Sequence, residues 1–162
     1  MSTNQTGTAS ARDGDDAGAG AEPLALDDFL CFALYSASHA FSRLYRPMLD
    51  ALGLTYPQYL VMIVLWQQDG GSVGALGERL FLDSNTLTPM LKRLEALGFI
   101  TRSRDPRDER QVLIRLTERG RALKNDAAGI PACAFEATGL EREEAVRLLR
   151  QVAALRDQLR GA

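Results

Sequence analysis

A chain of 162 residues, 46% hydrophobic and 25% charged, has one domain's length and a soluble globular composition. No apolar run approaches the roughly 18 residues of a membrane span. The first residues, MSTNQTGTASARDGDDAGAGAEP, lack a basic segment followed by an apolar one, so no secretory leader and a cytoplasmic location are expected. The net charge of −2 argues against a uniformly basic nucleic-acid binder, but residues 1–23 carry four acids against Arg12, so −2 − (−3) leaves +1 for the rest.

Residues 1–23 offer almost nothing to bury and are predicted to form a disordered tail. From Leu24 to Leu52 the apolar residues Leu26, Phe29, Leu30, Leu34, Ala37, Phe41, Leu44 and Leu49 follow a helical pattern. Asp27 and Asp28 complement the dipole at its start, Pro47 is expected to bend or end it, and Gly53 punctuates it. Thr55-Tyr56-Pro57-Gln58 has capping-box spacing with an early proline. The helix it opens, Gln58 to Gln68, is almost wholly apolar and is predicted to be the central buried one. Gly70-Gly71-Ser72 ends it.

Val73 to Leu80 reads as a short helix with Leu76 and Leu80 on one face, followed by a turn at Phe81-Leu82-Asp83. A longer helix follows, capped by Asp83 or Ser84 and closed by Gly98, with Leu87, Met90, Leu91, Leu94 and Leu97 on one buried face. Its other face carries Ser84, Asn85, Thr86, Thr88, Lys92 and Arg93, hydrogen-bonding groups and cations suited to base edges and phosphates in a major groove. Pro89 removes one backbone bond inside it. Next, Phe99-Ile100 pairs with Val112-Leu113-Ile114 across a hairpin holding Arg102, Arg104, Arg107 and Arg110. Residues 84–115 carry seven bases against four acids, a local +3 where phosphate attraction needs it.

Helix, turn, helix and arginine-tipped hairpin make the plan of a winged helix-turn-helix: mainly α with a small β-hairpin wing, the DNA-binding part at about 55–116. Each element alone is more often plain scaffold; their order is what favours DNA. Beyond the wing, Thr117 caps a helix running toward Pro131, and 130–135 reads either as helix with a proline kink or as loop. Thr138 is expected to cap a last helix striped by Ala145, Leu148, Leu149, Val152, Leu155 and Leu159 near heptad spacing. Within a domain spanning 24–162, this seam has little left to pack on. Helices at about 24–52 and 117–160 are therefore expected to build a homodimer, whose two reading helices would meet half-sites roughly 34–36 Å apart in an imperfect palindrome of double-stranded DNA.

The chain has two cysteines, no CxxC pair and one histidine, His39, short of the clustered ligands a zinc site needs, so neither metal nor cofactor is expected. Cys31 could be a small buried hydrophobe. Its place near the positive end of a helix dipole favours a thiolate instead. Tyr35, Ser38, Ser42 and Tyr45 continue a polar line down the same helix, and tyrosine hydroxyls donating to sulfur would stabilise that thiolate. Fourteen residues of helix span about 21 Å, so Tyr45 can reach only a partner's Cys31.

Together these residues resemble the MarR family of winged-helix repressors, and within it the OhrR-type organic-hydroperoxide sensors, over roughly residues 24–160. The most specific pieces are LTYPQYLVM (54–62), LDSNTLTPMLKRLEALGFITR (82–102) and DERQVLIRLT (108–117). The resemblance implies that Asp108 and Arg110 form the family's wing motif, with Arg110 in the minor groove. It also implies that Pro89 belongs to the reading helix, that Cys31 is the reactive thiol supported by Tyr35 and Tyr45, and that Cys133 is a resolving cysteine. The implied protein is a repressor, not an enzyme. An organic hydroperoxide would oxidise Cys31 to a sulfenic acid, Cys133 of the other subunit would capture it as a disulfide, and the operator would be released. Two alternatives are a repressor answering to a non-covalent aromatic ligand and a thiol peroxidase; the arginine-tipped wing disfavours the second.

Overall fold

In the computed structural model, which describes residues 25–161, a 3-10 turn at Leu26–Asp28 leads into α1 (Leu30–Asp50). Then follow α2 (Tyr56–Gln67), α3 (Val73–Leu80), α4 (Ser84–Ala96), the hairpin β1 (Ile100–Asp105) and β2 (Asp108–Leu116), α5 (Glu118–Asp126), α6 (Ile130–Glu136) and α7 (Arg142–Arg160). The expected tail lies outside the described residues. The predicted fold class, mainly helical with an antiparallel two-stranded wing, is the one observed.

The core gathers around α2, whose Tyr59, Val61, Met62 and Leu65 are buried with Leu49 of α1, Leu76 of α3, Leu87, Leu91 and Leu94 of α4, and Ile100 and Ile114 of the wing. The capping box at Thr55 is present. Its backbone N–H donates to Gln58 Oε1 at 2.8 Å, which satisfies a buried amide side chain. Ser72 caps α3 by accepting from Ala75 N at 3.2 Å, and Thr117 caps α5 by accepting from Gly120 N at 3.0 Å. Gly77 brings α3 against the next turn: a Cβ there would lie 2.7 Å from the Leu82 carbonyl oxygen. Asp83 stands at the N-terminal cap position of α4 without a side-chain bond, and Gly98 closes the opposite end with φ 74°.

Two open readings narrow and one expectation needs correction. α1 passes through Pro47 and ends at Asp50, because the missing N–H falls on an exposed face while buried Leu49 anchors the last turn. Residues 130–136 are helix, with Pro131 in the first turn where its lost donor was unpaired anyway. α7 begins not behind Thr138 but behind Glu141, which forms a capping box with Glu144. The Thr138 hydroxyl instead donates to the Phe135 carbonyl at 2.7 Å, closing α6. No residue of α7 is buried, and Leu148, Leu149, Val152 and Leu159 are exposed.

Candidate nucleic-acid interface and thiol site

The apolar spacing of α4 fixes which way it faces. With Leu87, Leu91 and Leu94 fully inside, Ser84, Asn85, Thr86, Thr88, Pro89, Lys92 and Arg93 all lie exposed on the far side. The Thr88 hydroxyl donates to the Ser84 carbonyl at 2.7 Å, reinforcing the first turn above Pro89.

The wing turns at Pro106–Arg107, where the strand register is irregular between Arg104 and Asp105. Asp105 Oδ1 accepts from Arg107 N at 2.8 Å, an Asx-type bond that shapes the turn. Asp108 Oδ1 accepts from the backbone N–H of Arg110 at 3.2 Å and from its Nε at 3.1 Å, and Oδ2 accepts from Gln111 at 3.3 Å. The Arg110 side chain is the foremost of the groups that hold the Asp108 carboxyl below its usual range. Arg110 is thus aimed although its side chain is 91% exposed. Arg104 and Arg107 are exposed beside it.

Arg102, counted among the wing cations from sequence, is committed elsewhere. Its Nε and backbone N–H both donate to Glu95, which fastens β1 to the end of α4. At the wing's base Asp69 accepts from Leu116 N at 2.8 Å and from Arg121 Nη2 at 2.6 Å, and Trp66 Nε1 donates to the Gly120 carbonyl at 2.8 Å. Sequence reading missed Asp69; an acid just before the Gly70-Gly71 break was the available signal.

Cys31 is the second residue of α1 and is exposed, in a shallow apolar cleft with Leu26, Phe29, Phe32 and Tyr35. The Tyr35 ring lies 4.4 Å from His39. Tyr45 is not in this cleft. It sits half-buried at the other end of α1, 4.7 Å from the Tyr56 ring and 6.1 Å from Tyr59, which meets Trp66. Burial first, and for Tyr45 and Tyr59 their tyrosine neighbours second, pushes the hydroxyls of Tyr45, Tyr56 and Tyr59 above the ordinary tyrosine value. Tyr56 and Tyr59 went unnoticed as companions of Tyr45, although the repeated aromatics of LTYPQY were in view. Cys133 is exposed on α6, which borders the Phe41–Tyr45 stretch of α1, so the structure of one chain does not join it to Cys31.

A family model described as transcriptional regulator SarA/Rot matches residues 43–127. The HTH-type transcriptional regulator TtmR of Methylorubrum extorquens (strain PA1) is 53% identical over 138 residues, covering 85% of this chain and 71% of that protein. The organic hydroperoxide resistance transcriptional regulator of Bacillus subtilis (strain 168) is 52% identical over 108 residues, covering 67% and 74%. Among solved structures, reduced AbfR bound to DNA superposes with a TM-score of 0.68 at 35% identity, covering 80% of this chain and 91% of that one. Its disulfide-formed state gives 0.56 at 36% identity, covering 82% and 88%.

Proposed function

The chain belongs to the MarR-type winged-helix transcriptional regulators, in the branch of the organic hydroperoxide resistance regulator, and we propose that it is a repressor switched by oxidation of Cys31. That it is a DNA-binding regulator and not an enzyme follows from its relatives. The observation that carries the finer reading is the setting of Cys31: an exposed thiol at the start of α1, lined by apolar side chains that accept the organic half of a hydroperoxide.

The thiolate attacks the outer oxygen of ROOH, the O–O bond breaks, and the departing alkoxide takes a proton to leave as ROH. Sulfur becomes a sulfenic acid. Cys133 of a second subunit then attacks that sulfur, an S–S bond forms and water leaves. Two copies of the chain are required, and α7 supports this, since a 19-residue helix with no buried residue leaves its apolar stripe uncovered in a single chain. Tyr45, whose raised hydroxyl keeps its proton, serves as donor to the partner's sulfur.

In the reduced dimer, α4 enters the major groove with Ser84, Asn85, Thr86, Thr88, Pro89, Lys92 and Arg93 along its exposed side. Arg110, held by Asp108, enters the adjoining minor groove, with Arg104 and Arg107 near phosphates. The deciding experiment is a gel shift on the DNA upstream of the protein's own gene, before and after cumene hydroperoxide, with Cys31→Ser and Cys133→Ser in parallel. Wild type should bind and release while Cys31→Ser stays bound. Dithiothreitol should restore wild type, and under prolonged oxidant should fail to restore Cys133→Ser. Release of Cys31→Ser by peroxide would end the redox reading.

A further inference from the structure

The turn between α3 and α4 contains a residue that its local chemistry does not explain. Phe81, with φ 58° and ψ 39°, is the one non-glycine residue with positive φ among those described. Glycine or asparagine ordinarily fills this helix-terminal position, and a bulky residue holds it only when its surroundings insist. Core burial is not what insists, because Phe81 remains 46% exposed. What meets the ring is α7. The guanidinium carbons of Arg156 and Arg160, one helical turn apart, each lie 4.5 Å from the ring centroid, within cation–π reach. Arg156 is steadied in turn by Asp157, which accepts from its Nε at 2.9 Å.

We infer that Phe81 is a positioning residue for DNA recognition: the Arg156–Phe81–Arg160 stack ties the terminal helix to the helix-turn-helix elbow and fixes the direction in which α4 is presented. The inference does not depend on the Cys31 chemistry. Its leverage is geometric. α4 begins at Ser84, three residues past the ring, and thirteen residues of helix are roughly 20 Å long. A tilt of about 10° at the elbow moves the far end by roughly 3.5 Å, comparable to the spacing of successive base pairs. No residue of α7 is fully buried, and the stack is one hold between it and the reading half.

The test titrates variants against a duplex that the wild-type protein selects from a random-sequence pool, over a range of salt concentrations. Phe81→Leu and Phe81→Asn should raise Kd by roughly fivefold or more, while Phe81→Tyr, which keeps the π face, stays within about twofold of wild type. Asparagine suits the left-handed conformation, so Phe81→Asn should melt no lower than wild type and its lost affinity cannot be lost folding. The double change Arg156→Gln, Arg160→Gln should match Phe81→Leu, leave the salt slope unchanged, and gain nothing further when combined with it. Wild-type affinity in both Phe81→Leu and Phe81→Asn would overturn the inference. So would an arginine pair whose removal lowers the salt slope by about two and adds to Phe81→Leu, since those guanidiniums would then be phosphate contacts.

Discussion

Glu95 grips Arg102 twice, accepting its backbone N–H at 3.1 Å and its Nε at 2.8 Å, and so fastens the first strand of the wing to the last turn of α4. The two elements that would meet DNA therefore move as one piece. Charge alone says that Glu95→Ala, which deletes an anion beside the duplex, binds DNA more tightly. The proposed docking says the reverse, because a freed wing would no longer hold Arg104, Arg107 and Arg110 over the groove. Glu95→Ala should weaken operator binding and cost about 1 kcal/mol in urea unfolding at unchanged m. Tighter binding would show that the wing is not positioned by this pair.

The same pair marks the limit of sequence reading here. Leu87, Leu91 and Leu94 announced the buried side of α4 because helical period leaves no other arrangement, and all three are fully inside. Arg102 looked like its neighbours Arg104 and Arg107, because nothing local says that a strand will pass Glu95. Tyr45 was legible as a polar break in an apolar helix; its contact with Tyr56 needed the packing of α1 on α2. The start of α7 went astray since Thr138 and Glu141 both satisfy cap chemistry and only tertiary context chooses. The exposed face of α4, the wing cations and Cys31 were readable one by one; what holds them was not.

Two glycines of α3 should respond in opposite senses to alanine. Gly74 is exposed with nothing closer than Ser72 Oγ at 3.9 Å, so Gly74→Ala should stabilise by roughly 0.5–1 kcal/mol. At Gly77 the new methyl would meet the Leu82 carbonyl oxygen at 2.7 Å, a backbone atom that cannot swing away. Overpacking of roughly 1–3 kcal/mol should exceed the helical gain of about 1 kcal/mol, so Gly77→Ala loses stability. Thermal melts of the two variants decide the matter, and equal shifts would mean that the elbow yields.

Asp108 bears on pH. Its folded carboxyl is held below the ordinary value of 3.8, chiefly by Arg110, so its contribution is fully present above that value and is lost only as pH falls through the lower folded one. Arginine does not titrate in any working range. The Asp108–Arg110 tether is therefore constant from about pH 5.5 to 8. Asp108→Asn should weaken operator binding by roughly twofold to fivefold, by the same factor at every pH in that window. A wild-type to variant ratio that drifts with pH in fluorescence anisotropy would place the tether elsewhere.

The tyrosine cluster sets a limit at the alkaline end. Folded values raised above 10.0 for Tyr45, Tyr56 and Tyr59 mean a contribution fully present below pH 10.0 and lost as pH climbs through the folded values. Tyrosinate absorbance from these three should emerge late, together with loss of tertiary structure, and Tyr45→Phe should remove part of that late amplitude. At neutral pH the same variant should slow oxidation of Cys31 by roughly tenfold, the worth of one hydrogen bond to a charged acceptor. An unchanged rate would leave Tyr45 a packing residue only.

Leu149 tests whether two chains are needed. It is 69% exposed in the single chain and Leu148 beside it is 50% exposed, on a helix whose stripe has no cover. If a second copy supplies that cover, Leu149→Glu places an unpaired carboxylate in an apolar seam, at a cost of roughly 3 kcal/mol or more, so the dimer Kd should rise at least about a hundredfold. The monomer pays nothing for the change, so helix content should persist. Sedimentation should then find a folded monomer where wild type is a dimer. Operator affinity should collapse with it, because one α4 reads one half-site and the second contact is no longer tethered to the first. A variant that stays dimeric would put the subunit interface away from this face of α7.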